Sequence, residues 1–197
     1  MAPRTIQGLY DPQDERDACG FGMVVQLDDQ PSRQLVDTAI TALSRMTHRG
    51  GVAADGVTGD GCGLLLRKPH AFLKAVADEA GITVGSRFAA GNVFLPRDES
   101  AAAQCRAELE AQLRTAGCEP RGWREVPTND TVCGQLARDT LPRIEQVFVD
   151  AGNEQSADAF RLALFLARRR SEQNLRAHAD YYVTTLAPDA ISYKGMV

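Results

Sequence analysis

The stretch THRGGVAADGVTGDGCGLLLRKP, residues 47–69, holds six glycines between Gly50 and Gly63 and then continues as the apolar run LLLR, residues 64–67. Glycine is common where the backbone adopts positive φ or passes close to another group. Long irregular loops between core elements often carry functional residues, because the elements on either side hold them in place. The stretch therefore predicts a functional loop that leads into a strand.

Helical patterns occur on both sides of this loop. Apolar residues recur at spacings of three and four in residues 35–47, which predicts a first helix. Three further helices are predicted, one from Pro69 to Gly81, one capped by Asp98 and closed by Gly117, and one that begins at Ser156. The predicted buried side of the third helix consists of Ala102, Cys105, Leu109 and Leu113.

Short runs of apolar, β-branched and aromatic residues predict the strands. GFGMVVQL, residues 20–27, is predicted as a strand covered on both faces. Further strands are expected at residues 87–95, 122–127, 143–149, 181–186 and 191–196. The last two are predicted to form a hairpin around Pro188 and Asp189. The fold class is therefore α+β in one globular unit, with mixed or antiparallel sheets. Because SYKGMV ends inside a strand-like run, we expect the natural sequence to continue past Val197.

The composition excludes several classes of function. The chain has 197 residues, a net charge of −4 and no basic run beyond Arg168–Arg170, so it offers no wide surface for a nucleic acid. No apolar run approaches the roughly 20 residues that cross a bilayer, and the first 18 residues lack a signal-peptide pattern. We expect a cytoplasmic protein without nucleic-acid or membrane partners. The arginine run is expected to be a solvated face at a helix end or to complement the helix dipole, and contact with another domain is the alternative.

Five cysteines form an odd set without a Cys-x-x-Cys pair, which fits neither a disulfide framework nor a zinc ribbon. Cys105 lies on a predicted apolar stripe and Cys118 follows a glycine that ends a helix, so both are expected to be packing or surface residues. Cys19 differs, because the segment ERDACGFGMVV, residues 15–25, places it between a charged leader and an apolar run. Cys19 is therefore the candidate nucleophile.

A thiol has a reference pKa of about 8.5 and needs a base or a positive neighbour to react well at neutral pH. Of the three histidines, His70 at a helix start and His178 after a polar helix end are expected to be solvated, which leaves His48. A second source of base exists if residues 1–18 are removed, because the freed amino group of Cys19 has a reference pKa of about 7.7–8.0. One residue then supplies both nucleophile and base.

Several motifs carry a resemblance to a known family. DACGFGMVV, ALSRMTHRGGVAADGVTGDGCGLLLRKP, GWREVPTND, RIEQVFV, FRLALFLARRRSE and YYVTTLAPDAISYKGM follow one another at the spacing seen in the amino-terminal part of bacterial glutamate synthase large chains. The resemblance runs over essentially the whole chain. It implies a class II glutamine amidotransferase domain with the N-terminal-nucleophile hydrolase fold, an αββα sandwich, here expected to be truncated. It also implies a leader, residues 1–18, that is removed before Cys19, and an amidotransferase segment at residues 19–197.

The resemblance further implies a reaction and its partners. L-glutamine is hydrolysed to glutamate and ammonia, and the ammonia passes to downstream synthase domains of the same chain that aminate 2-oxoglutarate. A small NADPH-oxidising subunit is the implied partner. FMN and an iron–sulfur cluster are implied for the rest of the full-length chain, and no cofactor or metal is expected in this segment.

Residue roles follow from the matched motifs. Cys19 is the implied nucleophile, and Arg49 is the implied positive charge that favours its thiolate. Asp55 and Asp60 are expected to hold Arg49 or the glycine turns, and His48 to brace the loop. A metal at these aspartates and Cys62 is not expected, since the spacing matches no known ligand set. Trp123, Tyr181 and Tyr182 are expected in the core.

The family's oxyanion hole is an Asn-Gly pair, and its ligand for the substrate amino group is an aspartate, both expected after residue 197. This chain contains no Asn-Gly dipeptide, so it is expected to be a half-site that is inactive alone. Two alternatives stay open. One is a structural or regulatory module in which Cys19 remains internal, and the other is an amidotransferase that serves a different acceptor.

Overall fold

A computed structural model describes residues 20–46, 51–59, 61–152 and 155–196. The leader, Cys19, His48, Arg49 and Asp60 lie outside the described residues. The helices are α1 (Arg33–Ser44), α2 (His70–Glu79), α3 (Glu99–Thr115), α4 (Gln135–Thr140) and α5 (Ala157–Asn174). The strands are β1 (Gly61–Arg67), β2 (Phe88–Leu95), β3 (Glu119–Glu125), β4 (Arg143–Asp150), β5 (Tyr182–Ala187) and β6 (Ala190–Met196).

The strands form two antiparallel sheets. One sheet has four strands in the order β3-β4-β2-β5, and the other pairs β1 with β6. Helices α3 and α5 pack on one face of the four-stranded sheet. The two-stranded sheet and α2 pack on its other face, and α1 contacts β1. The described residues thus confirm the predicted α+β class with antiparallel sheets.

Helix α3 forms where the sequence predicted it, for local reasons. The Asp98 side chain accepts a hydrogen bond from the Ala101 N–H at 2.9 Å and caps the first turn. The predicted stripe of Ala102, Cys105, Leu109 and Leu113 is fully buried against the four-stranded sheet. Gly117, with φ of +77°, ends the helix in the left-handed conformation that glycine adopts at low cost. The predicted third helix is confirmed.

The core has two parts, one on each face of the four-stranded sheet. The first core lies under α3 and α5, and the second core lies between this sheet, α2 and the two-stranded sheet. Alternate residues of β2 point to opposite faces, so Ala89 and Val93 join the core under α3 and α5, while Phe88 and Ala90 face α2 and β6. Between the sheets lies a polar contact. Asn92 donates to the Ser192 carbonyl at 2.9 Å and accepts from Gln146 at 2.8 Å, which ties β6 to the centre of the larger sheet.

The prediction of a buried strand at residues 20–27 is wrong. These residues form no strand, and Phe21, Met23 and Leu27 are 93%, 85% and 97% exposed. Their composition favours extended backbone, but a strand also needs a neighbour with which to exchange hydrogen bonds. Among the described residues, none pairs with this segment.

The predicted hairpin of the last two strands is also wrong. The chain turns between β5 and β6 as expected, but β5 pairs with β2, and β6 crosses to the other sheet and pairs with β1. The two strands touch through side chains, since Thr185 Oγ1 accepts from the Ser192 N–H at 2.9 Å. Ile191 is fully buried in the second core and Tyr193 packs against it, so burial of Ile191 favours the position of β6 in that sheet.

Smaller differences concern burial and bounds. Strand β1 begins at Gly61 rather than residue 64, and a Cβ at Gly63 would lie 2.7 Å from the Tyr193 carbonyl oxygen. Helix α1 forms, but its apolar side is only half-buried. Tyr181 is buried and Trp123 packs against the first core, whereas Tyr182 is 38% exposed and the prediction for it is wrong.

The arginine run Arg168–Arg170 lies within α5, before its last turn. Arg168 and Arg169 both pair with Glu172, at 3.0 and 2.9 Å. The run is therefore a partly solvated face on which Glu172 neutralises part of the charge. Its predicted position at the end of the helix is wrong by one turn, since the last turn of α5 holds no basic residue.

Candidate functional site

The structure describes the surroundings of the site predicted from the sequence, but not its two proposed catalytic residues. Cys19 and Arg49 are outside the described residues, so their roles stay predictions. The described surroundings are Gly20 and the residues after it, the loop at residues 51–59 and the start of β1. Gly20 is exposed, and a Cβ at Gly22 would meet no atom within 4 Å. Packing among the described residues therefore does not require glycine at position 22.

The loop at residues 51–59 is a short, ordered turn. Val52 and Gly59 form an antiparallel bridge, and the Ala53 N–H donates to the Thr58 carbonyl at 2.8 Å. Gly56 has φ of +71° and donates to the Ala53 carbonyl at 3.0 Å. That backbone conformation favours glycine, so the glycine-rich pattern has a direct structural reason here.

The carboxylate of Asp55 stabilises this turn by accepting hydrogen bonds from residues of the same loop. Its Oδ1 accepts from the Val57 and Thr58 N–H groups at 3.1 and 2.7 Å, and its Oδ2 accepts from the Thr58 hydroxyl at 2.5 Å. The hydroxyl bond and these backbone bonds keep the pKa of Asp55 well below its usual range. The prediction that Asp55 holds the glycine turns by accepting N–H bonds is confirmed. The alternative in which it holds Arg49 stays a prediction.

The loop also contacts helix α4, which the sequence did not predict. Asp55 Oδ2 accepts from the Leu136 N–H at 3.3 Å, and Thr58 Oγ1 accepts from the Ala137 N–H at 3.3 Å. Gly134 is buried in this contact, and a Cβ there would lie 2.3 Å from Thr58 Oγ1. A glycine followed by a short polar segment is a weak signal, so this contact could be found only in three dimensions.

The other thiols are poor nucleophiles for the most part. Four cysteines are described, and all four are free. Burial raises the pKa values of Cys62, Cys105 and Cys118, so less thiolate is present at neutral pH. Cys105 and Cys118 are buried, as the sequence predicted for packing residues. Cys133 is half-buried in the loop before α4.

The described residues hold neither a metal site nor a membrane span. Within residues 20–46, 51–59, 61–152 and 155–196, no group of three or more His, Cys, Asp and Glu side chains is placed to hold a metal ion. No helix in the same part of the chain is long and apolar enough to span a membrane.

Comparison with known proteins places the chain in a family. Residues 19–197 match the glutamine amidotransferases class-II. The glutamate synthase (NADPH) large chain of Azospirillum brasilense is 38% identical, with 99% of this chain and 13% of that protein covered. The corresponding chain of Bacillus subtilis is 31% identical, with coverage of 97% and 13%. Ferredoxin-dependent glutamate synthase 1 of Arabidopsis thaliana is 35% identical, with coverage of 98% and 12%.

This chain thus spans 12–13% of the length of these relatives. The family match covers nearly all of the chain, including the glycine-rich loop, β1 and both sheets. The described architecture of helices packed on antiparallel sheets agrees with that match. The chain belongs to the class II glutamine amidotransferases.

Proposed function

We propose that this chain is the glutamine-hydrolysing part of a glutamate synthase large chain, with Cys19 as its amino-terminal nucleophile. The observation that carries the proposal is the family match, which begins at residue 19. A match that starts at the candidate nucleophile supports removal of residues 1–18 and an amidotransferase segment from residue 19 onward. The similarity of nearly the whole chain to glutamate synthases supports the wider assignment.

The proposed reaction is hydrolysis through a thioester. The Cys19 thiolate attacks the side-chain amide carbon of glutamine, after its proton has passed to the α-amino group of Cys19. The tetrahedral intermediate collapses, the C–N bond breaks, and ammonia leaves with the proton that the amino group returns. Water then attacks the γ-glutamyl thioester and the C–S bond breaks. Glutamate is released, and the free thiol of Cys19 is regenerated.

One feature of the described residues favours Cys19 over three of the four other thiols, and a second supports the proposed role of Arg49. Cys62, Cys105 and Cys118 have pKa values raised by burial, which disfavours their thiolates. The ordered loop at residues 51–59 follows Arg49 directly, with only Gly50 between Arg49 and the first described loop residue. The proposed role of Arg49 is to favour the Cys19 thiolate through its fixed positive charge.

The wider proposal concerns the rest of the protein. The ammonia aminates 2-oxoglutarate in domains that this chain does not span, and FMN and an iron–sulfur cluster belong to those domains. The proposed electron donor is NADPH, because the Azospirillum brasilense relative is named as an NADPH enzyme. The proposal adds a small NADPH-oxidising subunit and a cytoplasmic location. Reduced ferredoxin is the second candidate, because the Arabidopsis thaliana relative is almost as similar. Assays of the purified full-length enzyme with each donor separate the two.

Three measurements on the full-length enzyme test the central proposal. Intact mass should show that residues 1–18 are absent. An electrophilic glutamine analogue should label Cys19, as located by peptide mass spectrometry. Cys19→Ala should abolish use of glutamine while ammonia-dependent synthesis of glutamate continues. Cys133→Ala is the matched control and should keep glutamine use.

Some results would contradict the proposal. One is a fully active enzyme that retains its leader. Another is labelling at Cys62 or Cys133 in place of Cys19. An enzyme with full glutamine-dependent activity after Cys19→Ala would exclude the proposed nucleophile outright.

A further inference from the structure

We propose that Asp55, Thr58 and Gly134 are positioning residues for glutamine hydrolysis, because they hold the loop that follows Arg49 against helix α4. The loop–helix contact consists of Asp55 and Thr58 on one side and residues 134–137 on the other. This inference rests on the proposed roles of Cys19 and Arg49.

The two carboxylate oxygens of Asp55 accept hydrogen bonds from different parts of the fold. Oδ1 accepts from the Val57 and Thr58 N–H groups and organises the loop's own turn. Oδ2 accepts from the Thr58 hydroxyl and from the N–H of Leu136, a residue 81 positions away in the chain. A turn that needed only local order would be satisfied by the first oxygen. The second oxygen fixes the loop relative to another part of the fold.

Thr58 repeats this connection at a second point. Its hydroxyl donates to Asp55 Oδ2 at 2.5 Å and accepts from the Ala137 N–H at 3.3 Å. Two N–H groups in the first turn of α4 are therefore satisfied by the loop. Two separate attachments restrict rotation as well as translation of the loop, which one hydrogen bond would not do.

Gly134 allows this close approach. Its φ of −65° is available to any residue, so glycine is not needed for the backbone conformation. Its missing side chain is needed for space, because a Cβ would lie 2.3 Å from Thr58 Oγ1 and 2.5 Å from Asp55 Oδ2. The Thr58 backbone nitrogen would also be only 2.7 Å away, so a change of rotamer would not relieve the contact.

The consequence for catalysis comes through Arg49. Only Gly50 separates Arg49 from the described loop in the sequence. Under this proposal, the attachment of the loop to α4 limits the positions that Arg49 can take relative to Cys19. A displacement of about 1 Å in a positioned catalytic group can cost on the order of 100-fold in rate. Loss of the loop–helix contact should therefore weaken activation of Cys19 without removing any group that touches glutamine.

Substitutions separate positioning from simple stability. Asp55→Asn keeps the oxygen that accepts from the Val57 and Thr58 N–H groups, but its amide NH₂ cannot accept from the Leu136 N–H or from the Thr58 hydroxyl. The contacts that organise the turn are therefore kept, and both contacts of Oδ2 are lost. Thr58→Val removes the hydroxyl at nearly constant shape, and Thr58→Ser restores it. Gly134→Ala pushes the loop away from α4.

The readouts use the full-length enzyme. Glutaminase kcat and KM are measured, together with the pH dependence of Cys19 alkylation by iodoacetamide. Asp55→Asn, Thr58→Val and Gly134→Ala should each lower kcat roughly 10- to 100-fold, and should move the alkylation midpoint to higher pH. Thr58→Ser should resemble the wild type, and ammonia-dependent synthesis should be retained in every variant.

Gly91→Ala is the matched control for destabilisation. A Cβ at Gly91 would lie 2.5 Å from the Thr185 carbonyl in the four-stranded sheet, away from the loop. This variant should lower the melting temperature but leave the alkylation midpoint unchanged. If Gly134→Ala does not fold, the Asp55 and Thr58 variants still decide the matter, since they are nearly isosteric.

The outcomes distinguish this inference from the proposed function. If wild-type Cys19 does not react with glutamine analogues, the proposed function fails. If wild-type Cys19 reacts and folded Asp55→Asn and Thr58→Val enzymes keep wild-type kcat and alkylation midpoint, the positioning role is wrong while the proposed function stands. A melting temperature that falls with unchanged kinetics likewise assigns the contact to stability alone.

Discussion

Replacement of Asn92 by alanine should lower the free energy of unfolding, because Asn92 connects the two sheets through hydrogen bonds. Asn92 lies in β2 at the centre of the larger sheet and is 3% exposed. Its amide nitrogen donates to the Ser192 carbonyl of β6 at 2.9 Å, and its amide oxygen accepts from Gln146 Nε2 at 2.8 Å. Asn92→Ala removes both bonds and leaves two polar groups without these partners.

The size of the effect follows from what these two groups have left. The Ser192 carbonyl still accepts from Thr184 Oγ1 at 3.4 Å, whereas the Gln146 amide nitrogen loses its acceptor. A buried group that loses its partner costs about 1–3 kcal/mol, so Asn92→Ala should lower the free energy of unfolding by about that amount. Gln146 cannot turn its amide to escape, because its Oε1 accepts from Arg124 Nε at 2.9 Å. Thr184→Val is a milder change at the same contact between the sheets. It removes one hydroxyl that donates to the Asn92 carbonyl at 3.0 Å and should cost about 0.5–1.5 kcal/mol.

Equilibrium unfolding in urea measures these changes. Trp123 is the single tryptophan and packs against the first core, so its fluorescence reports unfolding of the larger sheet. The wild type, Asn92→Ala and Thr184→Val are compared at neutral pH, and the slope with urea is checked for constancy. A loss below about 1 kcal/mol for Asn92→Ala would refute the reasoning, because it would mean that the freed groups are not desolvated as the structure indicates.

Three further outcomes are expected from the same unfolding assay. Leu109→Ala, at a fully buried position of α3, should cost about 2–5 kcal/mol, and a loss under 1 kcal/mol would contradict the packing. Asp98→Ala removes the cap of α3 and should cost about 1 kcal/mol, whereas Asp98→Ser should recover most of it. Burial raises the pKa of Tyr181, whose hydroxyl lies 2.9 Å from Ser171 Oγ. The folded state therefore holds the phenol proton more tightly than the unfolded state, so this contribution is complete below about pH 10 and is lost as the pH rises further. Tyr181→Phe should lose about 1 kcal/mol at neutral pH and show a smaller alkaline decline than the wild type.

The candidate site was only partly predictable. Asp55 could be assigned to the glycine turns because its partners, Val57 and Thr58, are two and three residues away. The contact with α4 could not, since Leu136 is 81 residues from Asp55 and the sequence around Gly134 has no strong helical pattern. Gly134 carries no chemistry of its own. Its importance lies in the space it leaves, which appears only when the loop is placed beside it.

By itself the sequence determined the elements whose stabilising contacts are local. Helix α3 has its cap, its buried stripe and its closing glycine within residues 98–117, so the pattern and the structure agree. Only the tertiary structure decided which strands pair. The apolar segment at residues 20–27 stays outside both sheets, and β6 leaves β5 to join β1. Strand pairing depends on hydrogen bonds to residues that are distant in the chain. The sequence of one strand therefore does not specify which other strand it pairs with.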